Sequence, residues 1–419
     1  MWPFLYRSVI GPAVAIIGRI VAFGSPKVRQ TLAGRRAWRE QLALLPPREP
    51  GVRRVHVHAA SVGEFEQAKP IIEALRAEGN RMVITASFFS SSGFEQQRGY
   101  AHVDAVSYLP SDSARAMRDF LDLIDPDLIL ILRYDLWPCF MLEARRRSVP
   151  VALVSGVLRR NSARFRPLLR GFFAWLYGQL RHIYAVTYAD RDAFVSLAPY
   201  VPVEVGGDTR YDRVLMRLDA AAPVPALEES ITRGRAVLVA GSTWLPDEEL
   251  LAGVDRSALL MVVVPHEPTP EHVARLLEQF PNSCTLSALE QRAFSAGDAV
   301  DTIVVDRMGI LFGLYGLGTF AYVGGGFGEG VHSVLEPAAY GLPVFCGPKT
   351  ERSRDAQEMR SEGLLTVTRS ARDLAAGLDL LLANPTLLEQ RRSECAGFVR
   401  RHQGATQRII ASLRRNRLL

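Results

Sequence analysis

Cysteine is scarce in this sequence. It occurs four times in 419 residues, at Cys139, Cys284, Cys346 and Cys395. The four lie far apart and form no CxxC pair and no zinc spacing, so reduced thiols in a cytosolic protein are expected and a disulfide scaffold is excluded. There is no HExxH, no EF-hand loop and no Cys/His cluster. No glycine-rich loop ends in GK[ST], which excludes a P-loop, and none matches a strict GxGxxG with a ribose-binding acid about 20 residues on. A long apolar run is missing too. The N-terminal stretch WPFLYRSVIGPAVAIIGRIVAF has only 11 uncharged residues between Arg7 and Arg19, whereas a spanning helix needs about 20.

What is present fits a folded chain. Hydrophobic residues make up 48% and charged residues 22% of the sequence, values ordinary for globular domains, and the length suits two domains. The net charge is +6 and the pI about 9.3, which suits an anionic partner: nucleic acid, an acidic membrane surface or a phosphorylated ligand. No clear small-residue cleavage site follows the N-terminal apolar stretch, which counts against a signal peptide. Lys27, Arg29, Arg35, Arg36 and Arg39 follow it. An apolar segment ahead of basic residues fits a helix lying in the interface of an anionic membrane; a helix packed on its own domain fits the same residues.

The rhythm of the chain is that of two α/β domains. Apolar runs at 52–60, 81–88, 128–132, 149–156 and 182–189 read as strands, with helices at 64–78 and around 114–123. Strands separated by helices imply βαβ units and parallel sheets. The stretch DAAAPVPALEES breaks the pattern and predicts a linker over 217–235. Strands resume at 236–242, 259–265, 302–306, 320–326 and 342–347. These divisions give a membrane-associating segment 1–40, an N-terminal domain 41–216, a C-terminal domain 236–385 and a closing helical segment 386–419.

Ligands of open α/β sheets bind beyond the carboxyl ends of the strands, so the polar strand ends carry the candidates. In HAASVGE (58–64) a serine can cap a helix start, and Glu64 in the first turn is either a dipole-favoured cap or a base facing a cleft. The glycine cluster 324–330, followed by Ser333 and Glu336, offers backbone N–H groups to an anion, or simply a tight turn; Glu336 could hold a ribose hydroxyl pair. His266 ends a strand, as do Trp137 and Trp244. His56 and His58 alternate with valine along one strand and could line a core edge. Asp125-Pro126-Asp127 has the form of a metal-binding DxD, but its proline and the strand behind it favour a turn; Asp190-Arg191-Asp192 is no better a candidate. No metal ion is expected.

Taken in order, HAASVGEFEQAKPIIEAL, SFFSSSGFE, RYDLWP, GDTRYDRV, VAGSTWLPDEE, VVPHEP, DRMGILFGLYG, YVGGGFGEGVHSVLEPAAYGLPVFCGP and QGATQRI cover nearly the whole chain. The set resembles the 3-deoxy-D-manno-octulosonic acid (Kdo) transferases of lipopolysaccharide assembly. That resemblance implies a GT-B architecture: two Rossmann-like, doubly wound domains facing an interdomain cleft, here with an N-terminal membrane-associating helix. It implies an inverting transfer of Kdo from CMP-Kdo, bound by the C-terminal domain, to a lipid A precursor, bound by the N-terminal domain. Glu64 matches the family's base; Asp135 and Arg210 match residues that stabilise the transition state. CMP contacts map to Pro265 and His266, to Met308, Gly309 and Ile310, and to Ser333, Val334, Leu335 and Glu336. The place of work would be the cytoplasmic face of the inner membrane, on its anionic surface, with no cofactor and no nucleic acid partner.

The sequence departs from the family pattern at several places. His266 stands where arginine is frequent, Trp244 where histidine is, Ser333 where asparagine is, and Asp135 where glutamate is; ERSRD (351–355) replaces a stretch containing phenylalanine. These departures touch nucleotide contacts more than the reaction class. Rival readings are a GT-B transferase using another nucleotide sugar, a dinucleotide-dependent oxidoreductase suggested only by the glycine cluster, and a non-enzymatic basic protein binding nucleic acid or membrane. The last predicts one arginine stripe with interleaved aromatics, whereas the arginines here are scattered over both domains.

Overall fold

The computed structural model describes residues 1–79, 81–221, 234–291 and 300–419. Most of the expected linker 217–235 therefore lies outside the described residues, and its start is helical, in the helix Thr209–Asp219. The chain forms two compact units: Met1–Arg213 together with His402–Leu419, and Val214–Arg401.

The N-terminal unit holds a sheet with the order β3-β2-β1-β4-β5-β6-β7, built from β1 Arg53–Ala59, β2 Met82–Phe88, β3 Ala105–Tyr108, β4 Leu128–Leu132, β5 Val151–Gly156, β6 His182–Ala185 and β7 Val203–Val205. The C-terminal unit has the order β10-β11-β9-β8-β12-β13-β14, from β8 Ala236–Thr243, β9 Leu259–Pro265, β10 Ser283–Thr285, β11 Thr302–Val304, β12 Phe320–Val323, β13 Val344–Cys346 and β14 Leu365–Val367. Every recorded pairing is parallel. Helices cover both faces, so central strands such as LILIL of β4 are buried throughout, as strands covered on two sides must be. The two faces of the N-terminal sheet back separate apolar clusters, one around Phe120, Phe140 and Ile183, the other around Phe65, Ile72 and Leu130.

Helix starts follow local chemistry. Ser113 and Thr269 each accept an N–H of the first turn, and Thr187 and Asp190 form a reciprocal capping box, the arrangement that satisfies donors a helix leaves exposed. Asp190 also accepts from Leu158 N at 3.0 Å, so the Asp190-Arg191-Asp192 segment is a cap.

The segment 386–419, expected as one helical piece, is divided between the units. The helix Pro385–Arg401 stays in the C-terminal unit, and the helix Ala405–Arg415 returns to the N-terminal one. Its apolar face explains the return: Ile409, Ile410 and Leu413 join the cluster containing Val55, Phe65 and Tyr184. Asp212 seals the helix start. Its carboxylate accepts from Gly404 N at 2.5 Å, Thr406 N at 2.6 Å and the Thr406 hydroxyl at 2.7 Å.

The N-terminal helix runs from Trp2 to Gly24, 23 residues, long and apolar enough by length and composition to cross a membrane. The expectation that this segment is too short counted only the residues between two arginines; the helix continues through both. Its first turns are docked. Tyr6 is buried, Trp2 meets Phe172 edge-on and Tyr6 stacks on it, and Arg7 pairs with the buried Glu143 at 3.3 Å. Beyond Gly11 the helix is bare, with Ile20 62% and Phe23 85% exposed.

Replacing Asp212 by alanine strands two N–H groups and a buried hydroxyl, a loss of about 2–3 kcal/mol. The thermal midpoint of the N-terminal unit should fall by about 5–10 °C. An unchanged midpoint would mean that the apolar face alone holds the terminal helix.

Candidate active site

In the N-terminal sheet the chain leaves β1 toward β2 on one side and later returns to β4 on the other. The loops after β1 and β4 therefore diverge, which opens a crevice at their carboxyl ends. Two carboxylates stand there. Glu64 lies in the first turn of the helix Val62–Ala77 and is 7% exposed. Ser61 occupies the N-cap position, but its side chain makes no capping bond; instead Glu64 Oε2 accepts the Ala60 N–H at 2.6 Å. Asp135 follows β4, and its Oδ2 accepts from Trp137 Nε1 at 3.0 Å and lies 3.2 Å from His58 Nε2.

The two carboxyls are displaced in opposite directions. Burial raises Glu64 above the ordinary carboxylate range, and the neighbouring Asp135 adds to this; the Ala60 N–H, His58 and Arg133 only partly offset it. Burial also pushes Asp135 up, but the hydrogen bonds from His58 and Trp137 and the charge of Arg35 outweigh it, so Asp135 lies below its ordinary value. Opposed shifts in adjacent groups are the usual signature of divided acid–base roles.

Arg35, which the sequence places in the membrane-facing basic stretch, is half-buried instead, because its donors have fixed partners. Nε and one terminal nitrogen donate to the carbonyls of Leu109 and Pro110 at 2.8 and 3.1 Å. Its guanidinium lies 4.5 Å from the Phe89 ring centre and 5.5 Å from that of Trp137. Those rings stack on each other at 5.0 Å, which explains why a tryptophan follows Asp135. Arg39 pairs with Asp119 at 2.5 Å.

Arg210 sits in the helix Thr209–Asp219, and its Nε and a terminal nitrogen both reach Asp208 Oδ2, at 3.0 and 2.7 Å. Asp208 is buried, which opposes ionisation, yet Arg210 and Arg133 hold its carboxyl below the ordinary range. Arg133 closes β4 with a left-handed φ of 64°, costly for a residue with a Cβ. That conformation lets its Nε donate to Gln67 Oε1 at 3.0 Å on the helix that carries Glu64.

In the C-terminal sheet the direction reverses between β8 and β12, and the expected nucleotide contacts flank that point. Pro265 and His266 end β9, Met308, Gly309 and Ile310 follow β11, and Ser333, Val334, Leu335 and Glu336 follow β12. With Trp244 after β8, they mark the carboxyl ends of four adjacent strands, β11-β9-β8-β12. His266 stacks on His332 with ring centres 4.5 Å apart, Trp244 is tilted against His266 at 4.7 Å, and Trp244 Nε1 donates to His332 Nε2 at 3.0 Å. Glu336 accepts from Arg217 at 2.8 Å.

The glycine cluster differs from the expected open cradle. The N–H of Gly324 goes to Gly241 O, that of Gly325 to Asp247, and those of Gly328 and Gly330 to Gly325 O; Gly326 is not among them. The glycines answer mainly to close packing: a Cβ on Gly324 would meet Ser242 O at 2.3 Å. Asp247 organises the loop. One oxygen accepts from Trp244 N at 3.0 Å and Gly325 N at 2.9 Å, the other from the Tyr322 hydroxyl at 2.9 Å.

Residues 36–213 match the family profile described as 3-deoxy-D-manno-octulosonic-acid transferase (kdotransferase). Beyond that segment, the chain is 26% identical to the 3-deoxy-D-manno-octulosonic acid transferase of Haemophilus influenzae, over 99% of this chain and 98% of that one. It is 26% identical to the enzyme of the same description from Bordetella pertussis, over 86% of each. Residues 36–213 carry the domain of the Kdo transferase family, and the relatives that align with the rest of the chain bear the same description. Among solved structures it resembles a UDP-GlcNAc 2-epimerase from Neisseria meningitidis, with a TM-score of 0.60 and 14% identity over 86% of this chain and all of that one. A glycosyltransferase from Rickettsia africae gives a TM-score of 0.55 at 12% identity, over 87% of this chain and 98% of the other. What these two share with the chain is the two-domain GT-B fold.

The structure brings Glu64 and Asp135 to one crevice and places Arg210 on Asp208. Sequence reasoning left out Arg133 and Arg35 as site residues and weighed His58 as a core edge, although Arg133 opens the quoted RYDLWP and His58 opens HAASVGE. Asp125 and Asp127 sit at the amino end of β4, away from this crevice. Asp125 closes the helix Ala114–Ile124 with a φ of 41°, and Asp127 binds Arg48 and the Arg54 N–H, each at 2.7 Å.

Asp247→Asn keeps the size of the side chain but sets an amide N–H₂ against at least one of three donors. The loop 324–326 should loosen, with stability of the C-terminal unit down by about 1–3 kcal/mol and faster amide exchange at Gly325. Wild-type exchange at Gly325 would refute the anchoring role.

Proposed function

We propose that this Kdo transferase moves Kdo from CMP-Kdo to a tetra-acylated lipid A precursor with inversion at the anomeric carbon. The observation that carries this reading is Glu64: a largely buried carboxylate at a sheet switch point, raised toward the range in which a general base works, in the family's own motif. A sugar hydroxyl of the acceptor attacks the anomeric carbon and passes its proton to Glu64. The bond from that carbon to the phosphate of CMP breaks, and CMP leaves with the electron pair. Attack opposite the leaving group inverts the centre. Arg210 stabilises the negative charge that develops.

The nucleotide rests on the ends of β9, β11 and β12, with Pro265, His266, Met308, Gly309, Ile310, Ser333, Val334, Leu335 and Glu336 around it, and the Trp244–His266–His332 cluster offers an aromatic surface to a base. A monophosphate leaving group carries less charge than a diphosphate, which supports transfer without a divalent ion. The acceptor is bound by the N-terminal unit.

Incubation of the purified enzyme with CMP-Kdo and tetra-acylated lipid A precursor in EDTA should yield an acceptor heavier by whole Kdo residues. Product only after magnesium is restored would overturn the metal-free reading, and no product under either condition would overturn the assignment of donor and acceptor. Glu64→Gln, which keeps shape and removes the base, should fold and bind CMP but lose about 10²- to 10⁴-fold in kcat. Near-normal kcat would remove Glu64 from that role.

The enzyme works at the cytoplasmic face of the inner membrane, held by the bare part of the N-terminal helix lying in the anionic interface. The docked first turn supports this, since it ties one end of the helix to the protein. Arg7, at the start of the apolar stretch, is committed to Glu143, and the side chains of Arg19 and Lys27 lie outside the described residues. Exchanging Ile16, Ile17, Ile20 and Phe23 for serine leaves Trp2 and Tyr6 in place and should abolish flotation with anionic vesicles while CMP binding persists. Unchanged flotation at high and low salt would place the membrane contact elsewhere.

A further inference from the structure

Beneath the two carboxylates runs a buried chain of histidines and hydroxyls. The pairing of β1 with β2 sets His56 opposite Thr85 and His58 opposite Ser87, all on one face of the sheet by strand alternation. His56 Nδ1 lies 2.8 Å from Thr85 Oγ1, His56 Nε2 lies 2.8 Å from Ser87 Oγ, and the same oxygen lies 2.9 Å from His58 Nδ1. His58 Nε2 then meets Asp135 at 3.2 Å. Phe120 and Phe140 stand edge-on against the imidazoles, with ring centres 5.4 and 6.0 Å from His56 and Phe140 6.3 Å from His58. The rings are walled in.

The chain has a direction. An ionised carboxylate only accepts, so in a neutral His58 Nε2 carries the proton and Nδ1 is left to accept. Ser87 must then donate to His58 and accept from His56 Nε2–H, and His56 Nδ1 must accept from the Thr85 hydroxyl. Every group is satisfied in this order alone while both imidazoles are neutral. Two imidazoles and two hydroxyls inside a sheet face are expensive unless completely bonded. A purely structural pair could end on a backbone carbonyl; this one ends on the Asp135 carboxylate.

Resting on the reading of Glu64 and Asp135 as the working carboxylates, we propose that His58 and Ser87 are positioning residues for the transfer. The chain Thr85–His56–Ser87–His58 locks His58 as its Nε2–H form against Asp135 Oδ2 and so presents Oδ1 to the substrate beside Glu64. Both hydrogen bonds to this carboxylate, from His58 and from Trp137, fall on Oδ2. The charged and titratable groups facing Asp135 are His58 of β1, Glu64 of the following helix and Arg35 of the N-terminal segment; His56 faces His58 along the strand. The side chain at 135 is one carbon shorter than the family's usual glutamate, so its placement depends on what holds it.

The test combines three variants with two readouts. His58→Gln offers an amide donor near the place of Nε2, His58→Leu offers none, and Ser87→Ala removes the hydroxyl that fixes the tautomer. His58→Gln should stay within about threefold of wild-type kcat, while the other two fall about 10–100-fold with KM for CMP-Kdo changed by no more than about twofold. Removing donors from Asp135 raises its pKa toward that of Glu64, so the acid limb of the kcat profile, set by Glu64 in wild type, should steepen and move to higher pH in His58→Leu and Ser87→Ala. Nitrogen-15 NMR of the unliganded protein should show His58 as the Nε2–H tautomer in wild type and a mixture in Ser87→Ala. An Nδ1–H tautomer in wild type would overturn the proposal. So would equal losses in His58→Gln and His58→Leu with no movement of the acid limb. If wild type transfers no Kdo at all, the functional reading fails, while the tautomer experiment still judges the hydrogen-bonded chain.

Discussion

Parallel strands can be joined only by crossovers, and that constraint arranges everything functional in this protein. Each crossover leaves its strand at the carboxyl end, so all such loops of a sheet gather on one side. Where the order of connection reverses, two loops part and side chains gain room. In the N-terminal unit this happens between β1 and β4, with Glu64 after one and Asp135 after the other; in the C-terminal unit it happens between β8 and β12, with Trp244 and the glycine cluster.

Within the first crevice, competition between burial and donors decides the chemistry. Burial acts against ionisation of both carboxylates. At Glu64 one backbone N–H and the nearby His58 and Arg133 oppose it, Asp135 reinforces it, and burial wins; at Asp135 two side-chain donors and a nearby guanidinium oppose it and burial loses. As pH falls, Glu64 therefore takes a proton before Asp135 does. The group able to accept a proton and the group that keeps its charge are distinguished by neighbours, not by residue type.

The central strands were plain in the sequence because their apolar runs are continuous. The strands that sequence reasoning did not pick out are β3, β7, β10 and β14, which are the four edges of the two sheets. Each has only three or four residues and pairs on one side, so little hydrophobic pattern is needed to specify it. The site divides in the same way. Glu64, Asp135 and His266 stand in recognisable local motifs at strand ends. The links His58–Ser87 and Arg133–Gln67 join residues distant in sequence through register and helix packing, and local spacing carries no trace of them. Ser61 shows the reverse error: a serine in the right place for a cap, overtaken by a glutamate that reaches the preceding N–H.

The helix Ala405–Arg415 adds to the core of the N-terminal unit side chains that are made long after the strands they cover. During synthesis, β1 to β7 emerge long before Ile409 and Leu413, and the whole C-terminal unit must leave the ribosome in between. For that interval the face of the sheet around Val55, Phe65 and Tyr184 lacks part of its cover. An apolar face exposed for the time needed to make nearly two hundred residues is a surface on which a nascent chain aggregates or meets a chaperone. Completion of the first domain to begin thus waits until the second has been made.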